Sequence, residues 1–404
     1  MQTASSRLNV LQILGNAIVG GMETYVMRLL EKLPRDRFHL MVVAPYESTV
    51  TERMRDLGVD VIALPITIDP EWSTTQIVAA LVKAQSIDVI QTHLENAHIL
   101  GGLVGRLTGK PVLATIHGRS VTLADLEAHR ISGTHIAVVC KHGYFHAISL
   151  GVNPAQLHLL PNGVDHRIFA PRDADPALRA RWGIPPGVPV AGFVGRLSEE
   201  KGPERFLAAA LRVHAKVPDA HFVLAGEGPM REELETFIER QAMDYVHLVG
   251  VQADMPAVYA QLDVLVSSSK SEGMPLALME AMACGVPVVA RRVGGVTDIV
   301  LHGTTGRLVS ADDADGLSVN LAEVLLDHEG RRRMGESSRE RAVRRFLLDD
   351  CIDATAQLLT RLAQVRSNDR RLSALPPGKG ETMAANSSDA AGKAAQAAGG
   401  KPAR

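Results

Sequence analysis

The sequence predicts an α/β protein made of two doubly wound parallel sheets, and three observations carry that prediction. The chain has 404 residues, more than one domain usually holds. Its apolar segments are short, β-branched and free of polar alternation, with helix-length stretches between them. That is the pattern of parallel strands covered on both faces by crossover helices. The segments fall into two series separated by Phe169–Pro189, where Pro171, Pro176, Pro185, Pro186 and Pro189 interrupt regular structure.

In chain order the first series is Leu8–Leu14, His39–Ala44, Val59–Leu64, Val89–Thr92, Val112–Ile116, Ile136–Cys140 and Leu157–Leu160. The second is Val188–Val194, His221–Leu224, Val246–Val251, Val264–Val266, Val286–Ala290 and Arg307–Val309. Two such series imply two Rossmann-like domains, residues 1–168 and 169–345. After Leu375 the chain reads Pro-Pro-Gly-Lys-Gly and then mostly Ala, Gly, Ser and Lys, with Met383 its one large apolar residue. Such a segment cannot offset its ordering entropy, so residues 366–404 are expected to form a disordered tail.

Composition narrows the function classes. With 46% hydrophobic and 22% charged residues the balance is that of a globular enzyme, and 4% aromatic residues imply an aliphatic core. A net charge of −2 gives no global attraction to nucleic acid, and residues 1–168 hold 14 basic against 14 acidic side chains. Cys140, Cys284 and Cys351 are odd in number and far apart, without the spacing of a disulfide framework or a zinc site. Met1–Asn9 has no apolar leader-like run, and no stretch approaches the ~18–20 apolar residues of a membrane span. A cytoplasmic location is expected.

The densest chemical signal is Ser267-Ser-Ser-Lys-Ser-Glu-Gly-Met-Pro-Leu-Ala-Leu-Met-Glu-Ala-Met-Ala-Cys-Gly-Val-Pro-Val-Val-Ala290. Here a strand ends near Ser267, a glycine permits a tight turn and Pro275 suits the first position of a helix. The helix start would aim unsatisfied N–H groups of Gly273, Met274 and Leu276, on either side of Pro275, at an anion such as a phosphate. Glu280 sits on that helix among Leu278, Met279, Met282 and Ala283, where a carboxylate needs a partner. Sugar or ribose hydroxyls would serve, as would a structural arginine. Upstream, Phe193-Val-Gly-Arg-Leu-Ser-Glu-Glu-Lys-Gly202 sets Arg196 and Lys201 about a turn, where they would neutralise a diphosphate. Asp173-Ala-Asp175 has the spacing of a metal-holding acidic pair but lies in the proline-rich joint, so no metal site is assigned. In the first half, Gly15-Asn-Ala-Ile-Val-Gly-Gly-Met-Glu-Thr-Tyr25 follows a strand and opens a helix, and it is not a dinucleotide fingerprint. Thr115-Ile-His-Gly118 puts His117 at a strand end, where open α/β sheets bind ligands.

The Glu272-x7-Glu280 pair within Glu-Gly-x-Pro-Leu-x-x-x-Glu-Ala-Met-Ala-x-Gly-x-Pro-Val-Val-Ala closely resembles the signature of family 4 glycosyltransferases. These are retaining enzymes of the GT-B fold, whose two Rossmann-like domains face a central cleft. The Arg-x4-Lys-Gly pattern, the Gly-Gly-x-Glu loop, Gly226-Glu-Gly-Pro229 and Pro161-Asn-Gly-Val-Asp165 resemble the same family, which covers about Leu8 to Leu362. The resemblance implies that Glu272 contacts the donor sugar and Glu280 the nucleotide ribose. It implies that Arg196 and Lys201 stabilise the leaving diphosphate, and that Val251 lies by the nucleobase. Gly20 and Gly21 would approach the donor phosphate, His117 would lie near the donor sugar, and His93 and His98 would line the acceptor side. His117, Arg196, Lys201 and Glu272 are the expected catalytic group. The remaining donor contacts are expected from Gly20, Gly21, Val251, Gly273, Met274, Pro275, Leu276 and Glu280. One departure is Cys140, where many relatives have Ser. Phe346–Leu362 resembles the terminal helix that crosses back to the first domain, so residues 346–365 are expected to complete it.

The expected function is retaining transfer of a hexose-type sugar from a UDP- or GDP-sugar to a glycan or lipid-linked acceptor in cell-surface polysaccharide biosynthesis. No cofactor and no nucleic acid partner are expected, and peripheral contact with the inner membrane face is compatible with the acceptor class. A nucleotide-sugar 2-epimerase of the same fold and an inactive scaffold of a glycan assembly complex are the alternatives. Because the donor motifs lie in one half and Gly20, Gly21 and His117 in the other, the site forms only where the halves meet.

Overall fold

The computed structural model of the protein describes residues 7–313 and 315–373. Among these residues thirteen strands form two wholly parallel sheets. The first holds β1 (Leu8–Leu14), β2 (Phe38–Ala44), β3 (Asp60–Ala63), β4 (Val89–His93), β5 (Val112–Ile116), β6 (His135–Val138) and β7 (Leu157–Leu159), in the order β3-β2-β1-β4-β5-β6-β7. The second holds β8 (Val190–Val194), β9 (His221–Ala225), β10 (Val246–Gly250), β11 (Val264–Ser267), β12 (Val288–Arg291) and β13 (Gly306–Val309), in the order β10-β9-β8-β11-β12-β13.

The apolar runs form strands because both faces of each sheet are covered. In β1 and β2, Val10, Leu14, Leu40 and Val42 join one core with Tyr25, Val26 and Leu29 of the Gly21–Lys32 helix. Leu11, Ile13, Met41 and Val43 join the opposite core, with Val78, Val82, Leu100 and Val104. Successive residues thus face opposite layers, the period of a strand. In the second sheet Leu265, Val288 and Ala290 pack with Leu278, Met279 and Met282, whereas Val264, Val266 and Val289 pack with Phe206 and Phe222.

Strand boundaries differ from the sequence expectation where local chemistry intervenes. β12 begins at Val288 rather than Val286, since Pro287 has no N–H for the ladder. β6 stops at Val138, and Cys140 instead caps the Lys141–Ser149 helix, its Sγ accepting from the Gly143 N–H at 3.4 Å. Pro275 is the cap of the Leu276–Ala283 helix rather than its first residue. All three cysteines are buried and free.

The last helix, Leu348–Ser373, is longer than expected at its far end. Its Leu348, Cys351, Ile352, Leu359 and Leu362 bury into the first sheet's core beside Val10 and Leu29. The part of the expected tail from 374 to 404 lies outside the described residues.

Each sheet reverses its winding once, and ligands of such sheets bind at the carboxyl edge of that point. In the first sheet β1 neighbours β4, with Leu14 opposite His93. In the second, β8 neighbours β11. The loops carrying Gly20 and His117 therefore share one edge, and those carrying Arg196, Lys201 and Glu272 share the other.

Candidate active site

The two loop edges touch. A Cβ built on Gly273 would lie 1.9 Å from the His117 carbonyl oxygen, so only glycine lets the two backbones meet. Met274, the next residue, is buried, and its carbonyl accepts from Asn162 Nδ2 at 2.8 Å. The Asp298 carboxylate of the second half accepts the Lys141 N–H at 2.8 Å. These contacts hold Gly273–Leu276 against the first sheet, while the Leu276–Ala283 helix has no side-chain cap on its N-terminus. Uncapped N–H groups at a helix start are suited to an anion.

Beside that helix start Glu272 is buried and held from two sides. Lys201 Nζ donates to both carboxylate oxygens at 2.8 Å, and Ser269 Oγ donates to Oε1 at 2.6 Å. Lys201 keeps 31% of its side chain exposed against 7% for Glu272. The ammonium thus has room to meet a second anion while it fixes the carboxylate. Ser268 Oγ donates to the Gly202 carbonyl at 2.7 Å, tying the Lys201 turn to the loop after β11. Arg196 is exposed at the same edge. Across from it, Glu23 of the Gly-Gly-x-Glu loop is buried; burial raises its carboxyl above the usual range, an effect its own backbone N–H and the Arg196 charge oppose. Gly20 caps the Gly21–Lys32 helix, with Glu23 Oε2 only 2.7 Å from where a Gly20 Cβ would stand.

Glu280 has protein partners that the sequence did not single out. Its Oε1 accepts from Arg28 Nη2 at 2.7 Å and its Oε2 from the Tyr259 hydroxyl at 3.0 Å. Arg28 also donates to the Gly163 carbonyl at 3.0 Å, so one guanidinium joins the first half to the donor-side helix. A ribose reaching Glu280 would share or replace these donors. The glycines of Gly226-Glu-Gly-Pro229 serve packing: a Cβ on Gly226 would fall 1.9 Å from the Gly195 carbonyl, and one on Gly228 2.4 Å from that of Leu197. Val251 is exposed just past edge strand β10 and takes no part in these contacts. Asp175, of the discounted acidic pair, caps the Pro176–Arg181 helix by accepting from the Ala177 N–H at 2.9 Å.

A buried polar chain stands behind His117. Gln12 Nε2 donates to Gln91 Oε1 at 3.0 Å, and Gln12 Oε1 lies 2.8 Å from His93 Nε2. An amide oxygen only accepts, so His93 carries its hydrogen on Nε2 and accepts at Nδ1. His117 Nε2, 2.9 Å from that Nδ1, is then the donor, which leaves His117 Nδ1 as an acceptor. The edge of Tyr25 fixes the His117 ring at a centroid distance of 4.9 Å. Gln12, Gln91, Arg28 and Tyr259 belong to none of the motifs named above, and only their place as polar residues in largely apolar stretches could have marked them. Ser269 lies within the Ser267–Ala290 motif, where three consecutive serines give no sign of which one holds Glu272.

The buried histidines carry a pH prediction. Burial holds His93 well below the usual imidazole range, with His117 and His98 adding to the effect, and burial holds His98 at about 3. Unfolded, each would titrate near ~6.5. Between these values the unfolded chain binds the extra proton, so stability falls as pH drops below about 6.5. The slope is up to about 1.4 kcal/mol per pH unit for each histidine. Urea unfolding at pH 7 and pH 5 measures this, with His98→Gln expected to flatten part of the slope. Equal stability at the two pH values would contradict neutral burial.

Two doubly wound parallel sheets that meet edge to edge over a basic, anion-ready loop and a fixed carboxylate define a GT-B glycosyltransferase. Comparison with known proteins agrees. Residues 19–168 match the model for glycosyltransferase family 4, and residues 174–341 match the model for glycosyl transferases group 1. The chain belongs to this group 1, family 4 glycosyltransferase family. It is 30% identical to a GDP-mannose-dependent alpha-(1-6)-phosphatidylinositol monomannoside mannosyltransferase of Mycolicibacterium smegmatis, over 80% of this chain and 90% of that one. It is 26% identical to the UDP-Gal:alpha-D-GlcNAc-diphosphoundecaprenol alpha-1,3-galactosyltransferase of Escherichia coli, over 89% and 98%. In structure it is similar to Anabaena Alr3699/HepE in complex with UDP-glucose, with a TM-score of 0.78 and 20% identity over 88% of this chain and all of that one. Among the described residues no helix is long and apolar enough to cross a membrane.

Proposed function

We propose that the protein transfers a hexose-type sugar from a UDP- or GDP-sugar to a glycan or lipid-linked saccharide, with retention of anomeric configuration, in cell-surface polysaccharide assembly. The observation that carries this reading is the Lys201–Glu272 pair beside the uncapped helix start, facing His117 across Gly273. In this reading the diphosphate lies on the N–H groups of Gly273, Met274 and Leu276, neutralised by Lys201 and Arg196, an electrostatic arrangement fixed before the reaction begins. Glu272, oriented by Lys201 and Ser269, accepts hydroxyls of the donor sugar, and His117 Nδ1 accepts another. The acceptor attacks on the face the diphosphate leaves, and the departing phosphate oxygen takes its proton. Residues 1–168 hold the acceptor and residues 169–345 the nucleotide sugar. Relatives named for UDP-Gal and GDP-mannose donors, and for diphosphoundecaprenol and phosphatidylinositol mannoside acceptors, support both the donor pair and a lipid-linked acceptor. Such an acceptor places the protein on the cytoplasmic side, in peripheral contact with the inner membrane face.

The test is a thermal-shift screen with UDP, GDP, ADP and their sugars, followed by product analysis. A ligand at a hundred times its Kd adds ~2.7 kcal/mol. Stabilisation by one nucleotide and release of its diphosphate on transfer are expected; an epimerised sugar, or no ligand effect at all, would overturn the reading in favour of an epimerase or a scaffold. Because Arg196 and Lys201 supply the positive charge, transfer is expected to survive excess EDTA. Loss of activity with recovery on adding Mg²⁺ or Mn²⁺ would show that those two side chains do not suffice.

A further inference from the structure

Beside His117 the first sheet holds a polar pair to which the transfer scheme gives no role. A cavity of about 430 Å³ opens at the carboxyl ends of β4 and β5, with Ile68, Leu94, His98, His117, Thr122 and Asp125 in its wall. Asp125 and His98 are 2% and 1% exposed. One Asp125 oxygen is committed, since Oδ2 accepts the Thr122 N–H at 2.8 Å in the capping box of the Leu123–Ser132 helix. The other, Oδ1, is buried and has no hydrogen-bond donor among the described residues. Native proteins rarely leave such an acceptor unsatisfied, because its desolvation is then uncompensated.

One candidate donor, His98 Nε2, stands 3.6 Å from Oδ1, beyond hydrogen-bond length. His98 Nδ1 is 2.7 Å from the Thr92 hydroxyl, which can donate to it and leave the imidazole hydrogen on Nε2. Two atoms at this separation can both lie ~2.8 Å from a third. A hydroxyl group has the chemistry for that place, since it accepts from Nε2–H and donates to Oδ1 at once. A carboxylate lacks the donor and an ammonium lacks the acceptor. Leu94, in the same wall, has φ +76° and ψ 157°, a strained backbone for a branched residue of the kind that persists at ligand sites. Ile68 and Leu94 give the cavity an apolar side suited to the C–H face of a sugar ring.

We propose that this cavity is a hexopyranoside subsite in which Asp125 and His98 jointly bind one hydroxyl, making Asp125 a specificity-determining residue for the acceptor. That the bound sugar is the acceptor rests on the glycosyl-transfer reading above; that the site takes a sugar hydroxyl rests on its own geometry. His117 also lines this cavity, so a sugar held there stands next to the loop that meets Gly273.

The experiment is saturation-transfer NMR on the full chain, with the methyl α-pyranosides of glucose, galactose, mannose and N-acetylglucosamine as probes. UDP and GDP binding is measured on the same samples. At least one glycoside should give a saturable signal with the unaltered protein. Asp125→Asn should weaken it about ten-fold or more, because the amide presents a donor where the hydroxyl proton must go. Since Asp125 also caps a helix, Ile68→Trp is tested in parallel; it narrows the exposed rim without touching the buried pair and should weaken the same glycoside. Absence of any glycoside signal, or unchanged affinity in both variants, overturns the subsite. A protein that binds UDP or GDP but no glycoside retains the transfer reading and loses this one. One that binds a glycoside through Asp125 but no nucleotide does the reverse.

Discussion

Replacing Glu272 with alanine is expected to lower turnover by about 10–150-fold, the rate equivalent of losing a charge-assisted contact of roughly 1.5–3 kcal/mol. Glu272 is held by two bonds from Lys201 and one from Ser269, so its oxygens are aimed before any donor arrives. Removing the carboxylate also frees the Lys201 ammonium to swing away from the diphosphate position. Lys201→Ala should therefore be nearly as damaging, for it leaves a buried carboxylate without its cation. Because the two act as a unit, the double variant should be little worse than either single one. Measuring kcat/KM with the donor found in the nucleotide screen, together with melting temperatures, separates lost chemistry from lost fold. Near-normal turnover in Glu272→Ala would remove this residue from the donor site, and additive losses in the double variant would dissolve the proposed unit.

The second large effect is expected at Glu280, where stability and nucleotide binding should fall together. Its carboxylate and Arg28 are only 11% and 13% exposed in their side chains and form an ion pair between the two halves of the molecule. Removing one member of such a pair leaves the other charge buried, at a cost of about 3–5 kcal/mol. Here the lower end is expected, because Arg28 keeps its bond to the Gly163 carbonyl. Chemical denaturation of Glu280→Ala and Arg28→Met measures the structural part. The ribose part is read from UDP or GDP against its 2′-deoxy form. If Glu280 holds the ribose, the unaltered protein should favour the ribonucleotide, and Glu280→Ala should lose that preference. Equal affinity for the two forms in the unaltered protein would leave Glu280 as a link between the halves and nothing more.

Much of the architecture was legible in the chain because parallel strands covered on both faces must be apolar throughout, and such runs stand out against helical periodicity. All thirteen anticipated strands are present, each boundary within two residues of its expected place; the two-residue shifts fall at β6, β8 and β12, where a helix cap or a proline took over. The residues of the anticipated site were legible for a different reason. Gly273, Pro275 and Glu272 lie within a few positions of one another, so a single turn sets their chemistry. The partners of those residues were not legible. Arg28 and Glu280 are 252 residues apart, and Asn162 and Met274 are 112 apart. No local spacing joins them.

The sequence by itself determined two parallel sheets, the helix start that can receive an anion, and the cations placed before it. Each follows from short-range geometry, in which a few neighbouring residues decide a turn, a strand face or a helix end. The tertiary structure alone decided how the halves engage: Gly273 against the His117 backbone, Glu280 on Arg28 and Tyr259, and the Gln12–His93–His117 chain. Those contacts depend on which loops the winding order brings to one edge, and on the need of every buried polar group for a partner. Many different pairings would satisfy the same residues in an unfolded list, and only the packed molecule selects among them.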